Sequence, residues 1–136
     1  MTRTILHVTA YAAALATAAL FTFQAEALQP GTIKYVTGGV GSEERSALQA
    51  TQRDYNFRLL SANTEGGLVG DTSIVIRDTK GNEILRTIAG PIFYAELPNG
   101  SYTLEANSDG QMKQKTFTVR QSKPTDMHLS WIGTNY

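Results

Sequence analysis

The chain has 136 residues, 12 basic and 12 acidic, a formal net charge of zero, and no cysteine. That balance offers no electrostatic footprint for nucleic acid, and no run of like charge exceeds Glu43-Glu44. Without cysteine there is neither a disulfide framework nor a thiol for lipid anchoring, so the core alone must hold the fold.

The first element reads as a targeting segment. Arg3 supplies a positive start, residues 8–23 (VTAYAAALATAALFTF) are uncharged and largely apolar, and Ala25-Glu26-Ala27 forms an A-x-A-like processing site. This three-part pattern predicts a secretory signal peptide over residues 1–27. The apolar run is short for a span of about 20 residues, so cleavage is expected over retention as an N-terminal membrane anchor. The expected compartment is the periplasm, with secretion beyond it as the alternative. The remaining domain, 28–136, is expected to make no stable membrane insertion.

Residues 32–37, TIKYVT, are β-branched and aromatic and predict a first strand. Gly38, Gly39 and Gly41 end it, and Ser42 stands where a helix N-cap belongs. Glu43 and Glu44 suit the first turn, and Ala47, Leu48, Thr51 and Tyr55 fall at helical spacing, which predicts one short helix over about 43–53. From YNFRLLSA (55–62) onward the period is two. TSIVIRD, EILRTIAG, PIFYAEL, GSYTLEAN, QKTFTV and TDMHLSW follow, separated by the turn residues of NTEGGLVGD, DTKGN, PNG and SDG. Strands arriving about every ten residues predict an all-β fold, an antiparallel β-sandwich of prealbumin-like or immunoglobulin-like type.

The stretch from Asp71 to about residue 120 resembles the carboxypeptidase regulatory-like domains, which are small transthyretin-like sandwiches. Leu97, Pro98, Gly100, Tyr102, Leu104 and Ala106 occupy the matching positions of their L-P-x-G-x-Y-x-L-x-A segment, with the aromatic Phe93 upstream of it. YVTGGVGSEE and YNFRL also resemble the opening of a group of small exported proteobacterial proteins. These resemblances imply a periplasmic, non-enzymatic domain and imply no ligand. Transthyretin-like sandwiches include hydrolases with several histidines and a C-terminal Tyr-Arg-Gly-Ser motif; this chain ends Trp131-Ile132-Gly133-Thr134-Asn135-Tyr136 and departs from that pattern.

The glycine-rich stretch YVTGGVGSEE invites a nucleotide-binding reading. It lacks the lysine of a phosphate loop, its glycines run G-G-x-G, and two carboxylates would face the phosphate. A strand-to-helix turn is the expectation. Downstream of the signal the one histidine is His128, flanked by Met127 and Leu129 and therefore pointing outward. With Ser130 or a nearby carboxylate it offers a less favoured hydrolase reading, since no nucleophile elbow accompanies it. Neither a cofactor nor a metal is expected. The reading favoured by the residues is a non-catalytic exported binding or accessory module. Its partner would be an envelope protein or a glycan, and pairing through a sheet edge is a structural alternative. The candidate binding surface comprises Tyr35, Gly39, Gly41, Tyr94 and His128, chosen as outward aromatics, the glycine turn and the lone histidine.

Overall fold

The computed structural model describes residues 33–133. The predicted signal peptide, and Tyr136 at the other end, lie outside them. In chain order the elements are β1 (Lys34–Gly38), helix α1 (Ser42–Gln49), a 3-10 turn (Gln52–Asp54), β2 (Phe57–Asn63), β3 (Thr72–Arg77), β4 (Glu83–Ala89), β5 (Ile92–Glu96), β6 (Gly100–Ser108), β7 (Gln111–Val119) and β8 (Thr125–Trp131).

The strands form two four-stranded sheets, β1-β5-β2-β8 and β4-β3-β6-β7, in a sandwich. The expected all-β sandwich is therefore observed, with one difference in strand direction. β2 and β8 run parallel, Phe57 opposite Thr125 through Asn63 opposite Trp131, while every other pair is antiparallel. Even spacing of strands and turns predicts an antiparallel sandwich, but a parallel partner must be reached by a long crossover. Here that crossover is all of β3 to β7.

The alternation read from the sequence sets the core. Phe57, Leu59, Phe93, Ala95, Leu129 and Trp131 project inward from the first sheet. They meet Ile74, Ile76, Leu85, Tyr102, Leu104, Phe117 and Val119 from the second. Phe57 stacks on Phe117 across the sheets at 4.4 Å between centroids, and Tyr102 stacks on Phe117 at 5.6 Å. Burying each such side chain contributes about 1.5–3 kcal/mol. Val75 breaks the alternation: it is buried on the outer face of its sheet. Its cross-strand neighbours are Arg86 and Glu105, whose aliphatic stems can cover it.

The turns follow their residues. Asp78 Oδ1 accepts from the backbone N–H of Lys80 and Asn82, both at 2.9 Å, and Gly81 takes φ +84°. In the L-P-N-G-S-Y segment Leu97 is buried and the Tyr102 hydroxyl donates to Pro98 O at 2.6 Å, tying the strand to its own turn.

The helix departs from its predicted bounds. It ends at Gln49, and a separate 3-10 turn covers Gln52–Asp54. Gly41, not Ser42, is the N-cap and supplies no side-chain bond; Ser42 is the first helical residue, and its carbonyl accepts from Ser46 Oγ. The predicted stripe is also narrower. Ala47 is exposed, whereas Leu48 packs on a second cluster made of Tyr55, Ile92, Tyr94 and Val36. That cluster lies on the outer face of the first sheet. The chain turns back after Gln49 because Thr51 bonds the Leu48 carbonyl twice, through its N–H (2.9 Å) and its Oγ1 (2.7 Å).

Candidate functional site

The outer face of the first sheet is built by parity. Residues opposite one another across strands share a face, so Val36, Tyr94, Arg58 and Asp126 form one row and Ile92, Leu60 and His128 the next. Helix α1 covers the β1–β5 half of this face through Leu48. Among the described residues no element covers the β2–β8 half, and a groove of about 340 Å³ runs along the boundary. Leu60, Ile92 and Tyr94 form its floor; Gln49 and Gln52 stand on the helical side, and Arg58, Asp126 and His128 on the strand side.

Arg58 and Asp126 are locked together. Arg58 Nε donates to Asp126 Oδ1 at 2.6 Å and its Nη2 donates to Oδ2 at 3.0 Å, a two-pronged pair between parallel neighbours. That hydrogen bonding holds the guanidinium pKa above its usual value, with burial opposing it. Tyr94 sits beside the pair. Burial pushes its phenol pKa up, Arg58 pulls it down, and Asp126 adds to the rise. The phenol therefore stays protonated well into alkaline conditions.

The structure brings two of the candidate residues together. Tyr94 and His128 both line the groove. Tyr94 faces outward as its alternation implied, but it is only 6% exposed and packs against Tyr55 at 6.0 Å between centroids. It is therefore floor and not a free stacking platform. His128 is exposed, in the same row as Leu60.

Gly39 belongs to the scaffold of the groove. Its φ is +100°, and an added Cβ would lie 3.2 Å from two side-chain atoms of Ile92. The loop thus presses directly on the groove floor, and Arg45 Nη1 holds it by donating to the carbonyls of Gly39 and Val40.

Gly41 and Tyr35 stand elsewhere. Gly41 has an ordinary extended φ of −96°, and a Cβ there would meet nothing within 4 Å. Tyr35 pairs with Ala95, so it faces the inner side of the sheet at its edge, where its hydroxyl reaches Thr87 Oγ1 at 3.5 Å. It does not share a surface with Tyr94.

Sequence reasoning missed Arg58, Leu60 and Asp126. Alternation places each of them outward. The signal that unites them is the parallel pairing of β2 with β8, and no local pattern announces a partner 68 residues away.

Asp126, His128 and Ser130 share one face of β8 at a spacing of two. Among the described residues, no group of three or more metal-ligating side chains comes together.

No protein-family model matches this sequence, and no curated protein matches it. Among solved structures the chain is similar to the Bacillus anthracis TIE protein, at 19% identity and a TM-score of 0.39. The alignment covers 59% of this chain and 16% of that one, and a likeness of that size carries no argument about function.

Proposed function

We propose that this domain is a non-catalytic, exported binding module that takes an apolar side chain of a protein partner, expected in the cell envelope, into the groove between α1 and β8. The observation that carries the reading is the groove's construction. An apolar floor of Leu60, Ile92 and Tyr94 is ringed by Gln49, Gln52, Arg58 and Asp126. A desolvated apolar centre inside a polar rim is the arrangement that concentrates binding energy in protein interfaces. The same geometry weighs against a glycan, because sugar rings stack on open aromatic faces and Tyr94 presents none. It also weighs against hydrolysis through His128. Both oxygens of Asp126, its carboxylate neighbour on that face, are engaged by Arg58. The resemblance of the 71–120 segment to carboxypeptidase regulatory-like domains would imply a non-enzymatic role and names no ligand.

The test is selection of displayed peptides on the purified protein, run beside a glycan array. The expected result is peptides carrying a large apolar residue, whose binding falls at least about tenfold in Leu60→Lys and is unchanged in Met112→Lys on the far sheet. Peptides indifferent to Leu60→Lys would overturn the reading, as would a glycan bound with Leu60-dependence.

A further inference from the structure

The two open sides of the sandwich are guarded unequally. On the β7–β8 side, Lys113 and Lys115 stand opposite Ala106 and Leu104, both inward positions, so two ammonium groups point into the gap between the sheets. Lys113 Nζ lies 5.4 Å from the Trp131 ring centroid, and Lys115 Nζ donates to His128 O at 3.3 Å. Gln111 clamps Ile132 in both directions, with Nε2 donating to its carbonyl at 2.9 Å and Oε1 accepting from its N–H at 3.1 Å. Thr125 Oγ1 donates to Thr118 O. Inward charges and occupied backbone groups are devices that stop an edge from pairing with another chain.

Among the described residues the edge strand β4 has none of them. Its inward residues are Leu85, Thr87 and Ala89, and its outward residue Ile88 is 61% exposed. The strand is irregular only at its start, where the register shifts between Ile76 and Arg77; from Leu85 to Ala89 its pairing with β3 is continuous. Gly90 and Pro91 then end it. Among the described residues β4 pairs with β3 alone, so the backbone groups of this regular stretch that point away from β3 are open, with Thr87 at the midpoint.

We propose that β4 is a homodimer interface, in which two copies pair antiparallel about a two-fold axis at Thr87 and join their second sheets into one eight-stranded sheet. The register follows from chemistry. Centred on Thr87, Arg86 of each copy lies opposite Ile88 of the other, so the arginine stem covers the exposed isoleucine. Leu85 meets Ala89, large against small, on the inner face. Centring on Arg86 would set two guanidinium groups directly opposite, which is unfavourable. Centring on Ile88 would drive the strand into Gly90 and Pro91, and Pro91 has no N–H to donate. Centring on Leu85 would bring in the shifted register at the start of β4. The two-fold axis keeps both inner faces on the same side, which a register shifted by one residue would not. Tyr35, whose hydroxyl reaches Thr87, stands at this same rim and is 39% exposed.

The experiment is sedimentation velocity of the purified protein over a concentration series, with folding of each variant checked by near-ultraviolet circular dichroism. The wild type is expected to form a reversible dimer. Ile88→Lys sets two like-charged pairs against the partner's Arg86 and should weaken the dimer roughly tenfold, whereas Ile88→Glu sets two opposite-charged pairs and should preserve or tighten it. Met112→Lys, on the guarded β7, should change nothing. A wild type that stays monomeric throughout, or folded Lys and Glu variants that behave alike, would overturn the proposal. The result is independent of the groove, since Leu60→Lys should leave the dimer intact.

Discussion

Gly90 is the residue at which the chain leaves one sheet for the other, between Ala89 of β4 and Ile92 of β5, and its replacement by alanine tests the packing most directly. An added Cβ would lie 2.7 Å from Gly38 O, 2.9 Å from Gly38 Cα and 3.0 Å from Gly38 C. All three are backbone atoms of β1, so no rotamer change can relieve the overlap. Overpacking of this kind costs about 1–3 kcal/mol. If β1 retreats instead, the Gly90 N–H loses its 2.8 Å bond to Thr37 Oγ1, worth about 1 kcal/mol. The reduced freedom of the unfolded chain returns about 0.4–1 kcal/mol. The expected net loss is about 1–2 kcal/mol, or about 4–16 °C in melting temperature for a domain of roughly 100 residues. Urea unfolding followed by the fluorescence of Trp131, the single tryptophan and 2% exposed, reads the change. The matched control is Gly41→Ala, where open space and an extended φ predict a change within about 0.5 kcal/mol. A Gly90→Ala midpoint equal to that of Gly41→Ala would refute the close approach of β1 and the sheet crossing.

Two further outcomes are expected. Tyr102→Phe removes the hydroxyl that bonds Pro98 O and should cost about 1 kcal/mol in urea unfolding, with no change if that bond contributes nothing. Acid stability has a defined sign. Backbone bonds from Asn82 and Lys80 hold the Asp78 pKa below its ordinary value, and the bond from Arg86 does the same for Glu83. Their folded pKa values lie below the unfolded ones, so their contribution is present above the ordinary carboxylate range and is lost as pH falls below about 4. The double variant Asp78→Asn, Glu83→Gln should show a shallower loss of stability over that range, and an unchanged slope would show that these turns do not govern it.

The core was legible because its signal is local. Phe57 with Leu59, Ile74 with Ile76, and Met127 with Leu129 and Trp131 each follow a period of two that one strand imposes by itself. The turns were legible for the same reason, since Asp78 and Gly81 act within five residues. The candidate site was legible only in part. Tyr94 and His128 declared themselves by outward parity, yet their coming together depends on β8 lying beside β2, and strand order is a property of the whole chain. Composition cannot say which glycine of a G-G-x-G run needs its freedom. Gly38 and Gly39 carry positive φ and Gly39 touches Ile92, while Gly41, the helix N-cap, has an extended φ and open space around it. The Ser42 cap failed by one position, within the ordinary drift of helix ends.

The parallel pairing of β2 with β8 has a consequence for the order of assembly. The second sheet can form from neighbouring segments, since β3–β4 and β6–β7 are hairpins closed by short turns. The first sheet cannot be completed until the last strand is available, and its contacts carry the long sequence separations that slow folding. A growing chain therefore carries β2 with one edge bare until residue 125 and beyond have followed. The groove is complete only after that final step, so a chain cut short before β8 would keep the floor residues Leu60, Ile92 and Tyr94 but lose the wall that Asp126 and His128 supply.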